Sequence, residues 1–260
     1  MHAKIPNLPI PLAADQLQVA AALALLWTYR TSADVYNLLR QLDWKRQDGR
    51  PFTQDSVRSA VAELGRLGVL DREPRRDGYL RLRDDFRMPL YRYVLDTYPA
   101  ARLRDAVYRL EGYSPNVRRY YWPLNSAAGT VAVLRISLFS GMEQSEFIQL
   151  LELIGRSQNI DSYLTWGFDE GYDPEFFYQY APAAWDSFLY RMLTRLALSW
   201  APSALPACDW AIAKLDQTPD LLSEGVRVGL ADLLVQQGDG VRLERALEGL
   251  ESGVAHMLRA

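Results

Sequence analysis

Residues 53–82, TQDSVRSAVAELGRLGVLDREPRRDGYLRL, decide the fold. A hydroxyl at Thr53 can accept from the free amides of a following helical turn, and Val57, Ala60, Val61, Leu64 and Leu67 then recur at the helical period. Gly68 marks the C-terminal end of that helix. Val69 and Leu70 open a short strand, and Tyr79, Leu80, Arg81 and Leu82 alternate as a second one beyond Pro74–Gly78. Asp77-Gly78 supplies the turn, because glycine tolerates positive φ without a side-chain clash. The stretch therefore predicts a helix followed by a β-hairpin.

Upstream, Asp43–Phe52 (DWKRQDGRPF) is polar, holds Gly49 and Pro51, and reads as a connection. Before it, Ser32 is placed to cap a helix carrying Val35, Leu38, Leu39 and Leu42. Earlier still, Leu17, Val19, Ala20, Leu23, Leu26 and Trp27 give a broad apolar face to a first helix expected from Asp15 to about Arg30. Pro6, Pro9 and Pro11 make an extended arm ahead of it.

Three helices followed by a basic hairpin over residues 30–95 resemble the winged helix-turn-helix family of DNA-binding domains. The resemblance covers about a quarter of the chain, through an apolar pattern and a turn. It implies that the helix Thr53–Leu67 occupies the recognition position and that Arg72–Arg81 form the wing. The connection before the third helix is longer than in the most compact members.

From Phe86 onward helical periodicity dominates, with helices predicted at 87–97, 100–112, 125–139, 144–156, 183–200, 204–217, 220–237 and 240–258. The last four read as two antiparallel hairpins with a period close to that of tetratricopeptide-like solenoids, although the consensus residues of those repeats are missing. The fold class is thus mainly α: an N-terminal winged helix with its arm over 1–95, followed by an all-α helical-hairpin array over 96–260.

Composition narrows the function. With 260 residues and 49% apolar content the chain can build a sizeable core. Its most apolar stretch, Val19–Trp27, is far shorter than the roughly 20 residues of a membrane span, and a cytoplasmic location without membrane contact is expected. Cys208 is the only cysteine, which excludes an internal disulfide and a cysteine-cluster zinc site. The net charge of −3 conceals an asymmetry. Residues 40–119 hold 18 Lys and Arg against 12 Asp and Glu, whereas residues 120–260 hold 9 against 18. Such unevenness fits one region that meets a polyanion, or an arginine-rich solvated surface.

Catalytic constellations are sparse. The two histidines, His2 and His256, lie at opposite termini, so a Ser/His/Asp or Cys/His arrangement is not expected. Gly238-Asp239-Gly240 reads as a turn between helices rather than a nucleotide loop, and neither cofactor nor metal is expected. Asp169, Glu170, Asp173 and Glu175 crowd the aromatic stretch Trp166–Tyr180, where paired acids would serve glycoside cleavage. Asp173-Pro174-Glu175 reads equally as a helix start with acids facing its dipole.

The DNA-binding candidates are clearer. Thr53, Gln54, Arg58, Ser59 and Arg66 lie on the flanks of the third helix, with Asp55 beside them, and its N-terminal groups would enter a major groove. Lys45, Arg46 and Arg50 before the helix, and Arg75, Arg76 and Arg81 on the hairpin, would neutralise phosphates. Arg118, Arg119 and Tyr121, with Tyr120 and Trp122, form a secondary cluster able to combine stacking with phosphate contact. The expected function is a DNA-binding module for duplex, either a transcriptional regulator or the accessory N-terminal region of a larger DNA-acting protein such as a helicase. Its helical layer would hold a protein partner or a further domain. The alternatives are a protein-interaction scaffold with a structural winged helix and, last, a carboxylate enzyme. Helical pattern still runs through Val254, Leu258 and Arg259, as it would in a segment of a longer polypeptide or in a natural C-terminal helix.

Overall fold

The computed structural model describes residues 6–112, 124, 126–156, 158–200 and 202–251. Among them the chain forms thirteen α-helices and one two-stranded sheet, with 69% helix. No helix among them is long and apolar enough to cross a membrane. The chain divides into two compact units, Met1–Ser140 with Glu146–Gly167, and Gly141–Ser145 with Phe168–Ala260.

The first unit opens with α1 (Ala14–Leu26), α2 (Ser32–Leu42) and α3 (Gln54–Arg66). These lead into the strands β1 (Leu70–Arg72) and β2 (Leu80–Leu82), which pair antiparallel with Leu70 opposite Leu82. Helices α4 (Asp84–Thr97), α5 (Ala100–Leu110), α6 (Ala127–Phe139), α7 (Gln144–Gly155) and α8 (Ile160–Leu164) follow. Thr53 caps α3 as its hydroxyl accepts from the Ser56 amide, and Val57, Ala60 and Leu64 bury its inner face. Thr31, not Ser32, caps α2, accepting from the Asp34 amide while the Thr31 amide donates to the Asp34 carboxylate.

Two helices form the centre of this unit. Every residue of α1 from Val19 to Leu26 is buried, as is every residue of α6 from Gly129 to Phe139. A helix apolar all round must be enclosed, and α1 is: α2, α3, α4, α6 and β2 all pack on it. Helix α5 lies on α2 and α6, so the boundary expected after residue 95 falls inside the unit rather than at its edge.

The first helix stops four residues before the expected Arg30. Trp27 takes φ 64 and ψ −45, and the Thr28 amide donates to the Leu26 carbonyl at 2.7 Å. This is a γ-turn of the positive-φ kind, rare for a bulky residue and costing about 1–3 kcal/mol. Tertiary contacts hold it. The Arg135 guanidinium lies 3.2 Å from the Trp27 ring centroid and that of Arg87 4.2 Å, both side chains being buried. Arg87 also donates to the Trp27 carbonyl and pairs with Asp84, while Arg135 donates to the Gly167 carbonyl. Tyr91 meets the edge of the same indole at 5.6 Å. Three residues after the turn Arg30 exchanges two backbone bonds with Leu80, at 2.8 and 2.9 Å. The hairpin, whose strands pair at three positions, thereby gains a bridge on the other edge of β2 that the sequence did not foretell.

Other departures are local. Helix α4 begins at Asp84 and carries Pro89, which removes the bond to the Asp85 carbonyl without breaking the helix. The helix expected over 240–258 stops at Leu247, and Gly249 at φ 71 turns the chain; residues 252–258 lie outside the described residues.

The second unit contains α9 (Pro174–Tyr180), α10 (Trp185–Ser199), α11 (Leu205–Gln217), α12 (Glu224–Gln237) and α13 (Gly240–Leu247). Helix α12 packs mainly on α10 and α13, and a side chain at Gly229 would meet the Tyr190 ring at 3.2 Å. Phe168, Phe177 and Phe188 form its aromatic core, with ring centroids 4.9–6.0 Å apart. Cys208 is buried as expected, and burial pushes its thiol up. Helix α9 begins at the helix start read at Asp173-Pro174-Glu175, where the Asp173 carboxylate accepts from the Phe176 amide at 3.0 Å.

Burial pushes the Tyr91 phenol well above its ordinary value of 10.0, against the adjacent Arg135, which favours the phenolate. The same burial pushes the Arg135 guanidinium down to about 9, with Tyr91 opposing and Arg87 adding to the fall. Above pH 10 the unfolded chain loses the Tyr91 proton while the native protein keeps it, so the stability this residue contributes is intact below about pH 10 and lost beyond it. The lowered Arg135 contributes a slope of opposite sign, so the Tyr91 part is read as a difference between two proteins in urea unfolding between about pH 8 and 11. Above about pH 10 the slope of stability against pH should be more negative in the wild type than in Tyr91→Phe by up to about 1.4 kcal/mol per pH unit; identical slopes would contradict the linkage.

Candidate nucleic-acid interface

The candidate residues fall into three structural settings. The first is the connection before α3, which is more ordered than a polar loop. Lys45 and Pro51 form an antiparallel bridge, the Arg46 amide donates to the Arg50 carbonyl at 2.8 Å, and Gly49 turns the chain at φ 78. Trp44 anchors the turn, stacking on Tyr98 at 4.6 Å. Asp15 at the start of α1 clasps it from the other side, accepting from Arg46 Nε at 3.1 Å and from the Gln47 amide at 2.7 Å. Two of the three expected phosphate contacts are therefore engaged within the protein. Lys45 pairs with Asp43 and holds that carboxyl below the usual range, and Arg46 bonds Asp15 and lies 3.5 Å from Asp48. Arg50 is exposed and has no ion pair among the described residues.

The second setting is α3. Gln54, Asp55, Arg58, Ser59, Ala62 and Arg66 are all exposed, on the side opposite the buried Val57, Ala60 and Leu64. Thr53 is exposed at its cap, although its hydroxyl is committed to the Ser56 amide. Arg58 lies 3.4 Å from Asp55 and Arg66 pairs with Glu63, so the face carries balanced charge. Exposed helical pairs of this kind are worth only about 0.3–0.5 kcal/mol. A phosphate or a base edge can displace either partner at little cost.

The third setting is the hairpin. Arg75 and Arg76 are exposed in the connection between the strands, where Asp77 accepts from the Gly78 amide and Gly78 sits at φ 77. Arg76 rests 5.6 Å over the Tyr79 ring. Arg72 on β1, the first residue of the wing expected over Arg72–Arg81, is exposed as well. Arg81 differs. Its side chain is only 17% exposed, lies 4.8 Å over the Tyr29 ring and 3.9 Å from Asp71, and braces the hairpin against the 28–30 segment. Arg118, Arg119 and Tyr121, like Tyr120, Trp122, His2 and His256, lie outside the described residues.

In the second unit Asp169, Asp173 and Glu175 of the aromatic stretch serve structural contacts, and Glu170 is not free either. Asp169 is buried, pairs with Arg195 and lies 3.6 Å from Arg191, while Glu175 accepts from Trp210 Nε1 at 2.9 Å. Asp173 is the α9 cap described above. No group of His, Cys, Asp and Glu able to hold a metal occurs among the described residues.

These settings separate by stability. Arg81→Ala should cost about 1 kcal/mol through removal of the cation from the Tyr29 ring and of its brace, whereas Arg75→Ala should change stability by less than about 0.5 kcal/mol. Denaturant midpoints check this, and equal effects would place Arg81 in solvent with the others. Comparison of the chain with known proteins gives no matching family model, no matching curated protein and no matching solved structure.

Proposed function

We propose that this chain is a DNA-binding module whose first unit contains a winged helix that docks on duplex DNA through α3 and the β1–β2 hairpin. The observation that carries the reading is the arrangement itself. Three helices lead into a hairpin, residue 30 between the first two helices pairs with the second strand, and the third helix turns Gln54, Arg58 and Ser59 outward. Exposed Arg50, Arg72, Arg75 and Arg76 flank it. Forked and short hydrogen-bonding groups near a helix start suit base edges, and cations on flanking loops suit phosphates. The acidic second unit, with 7 Lys and Arg against 15 Asp and Glu over residues 141–145 and 168–260, would be repelled by the same polyanion. It is the part that would hold a protein partner or further domain, in a regulator or beside a larger DNA-acting enzyme.

The test is anisotropy of a labelled duplex and a labelled single strand across a salt series. Binding should be micromolar or tighter at low salt and weaken steeply as salt rises. The combined variant Arg58→Ala, Arg75→Ala, Arg76→Ala should bind more weakly and flatten the log–log salt slope, by about 0.9 for each phosphate no longer neutralised. Unchanged affinity in that variant refutes the docking mode. A second reading, a protein-interaction scaffold with a structural winged helix, is favoured by the charge balance of α3 and by exposed Leu198, Trp200, Leu205 and Val241 in the second unit. Absence of binding to either nucleic acid at low salt selects it.

A further inference from the structure

The hairpin's root is held from a distance by a buried ion pair. Arg30, whose backbone bridges Leu80 on the other edge of β2, extends its guanidinium to Glu111 at the C-terminus of α5, with Nη2 to Oε1 at 2.8 Å. Their side chains are 9% and 11% exposed. Glu111 has no freedom on its other side. A Cβ added at Gly129, in the first turn of α6, would lie 2.6 Å from the Glu111 Cδ and 2.9 Å from its Oε1. The glycine thus admits the carboxylate against the N-terminal turn of α6, where the helix dipole favours negative charge. Arg30 is in turn fixed from its N-terminal side by the Trp27 turn stacked on Arg135, also on α6. Two points on one buried helix therefore set where residue 30 lies, and residue 30 is the bridge to which β2 is pinned.

We infer that Glu111, paired with Arg30 and admitted by Gly129, is a positioning residue for the hairpin: it sets the angle at which Arg72, Arg75 and Arg76 are presented, without touching nucleic acid itself. The consequence for affinity rests on the duplex-binding reading; the consequence for the hairpin's own order does not.

Hydrogen exchange of the full chain, combined with the duplex salt series, tests both. Breaking one side of a buried pair is costly, so Glu111→Gln should speed exchange of the Leu80 and Arg30 amides roughly tenfold or more while leaving α12 unchanged. Gly129→Ala, which keeps both charges but pushes the carboxylate off Arg30, should give the same pattern. Arg30→Lys, which keeps a cation facing Glu111, should retain most of the protection. Duplex affinity should fall about tenfold in the first two variants with the salt slope unchanged, because every phosphate-facing cation is still present. Unaltered Leu80 protection in both Glu111→Gln and Gly129→Ala overturns the inference, as does a salt slope reduced by about 0.9 or more in either. If the wild-type chain binds no duplex, the binding reading fails by itself and the exchange result still decides the positioning role.

Discussion

The Trp27 indole, held against the buried guanidiniums of Arg135 and Arg87, is the constraint on which the first unit depends. Moving a guanidinium out of water costs several kcal/mol, and a desolvated cation on a tryptophan face returns about 2 or more of them. The carbonyls of Trp27 and Gly167 and the Asp84 carboxylate offset more of the cost. What this arrangement secures is geometry. It holds a positive-φ residue at the end of α1, so the chain leaves that helix sharply and meets β2 three residues later. Without the turn α1 would run on towards Arg30, and β2 would lose its bridge to residue 30.

From there the fold builds a support behind a surface. Helix α6 contributes Arg135 to the turn and Gly129 to the Glu111 site, while α1 presents Asp15 to the connection before α3. The groups that face solvent at α3 and on the hairpin are short of partners or held by weak, exchangeable ones. The groups behind them are paired and buried. Rigid backing with exchangeable charge in front suits the polyanion contact proposed for this surface.

Local chemistry made much of this legible in the sequence. The Thr53 cap, the period of Val57, Ala60 and Leu64, and the Asp77-Gly78 turn each act within a few residues, so α3 and the hairpin could be read directly. The mainly helical remainder followed from the same periodicity. What could not be read depends on distant partners. Nothing near Trp27 announces that Arg135, more than a hundred positions away, will stop α1 there, and nothing near Arg30 announces Glu111. The same limit governs the candidate site. Arg50, Arg58, Arg75 and Arg76 are exposed as expected, but Lys45, Arg46 and Arg81 have partners at Asp43, Asp15 and Tyr29 that charge patterning alone did not distinguish from solvent. For the acids of the second unit, the Asp173 cap was legible because Pro174 follows it, whereas the pairing of Asp169 with α10 was not.

The most direct measurement is the hydrogen-exchange footprint of the full chain with and without saturating duplex DNA. Protection confined to residues 54–66 and 70–82 is expected on the proposed docking, which puts α3 and the hairpin against the duplex. Protection of α10–α13 instead, with those two segments unchanged, would contradict it and place the contact on the second unit.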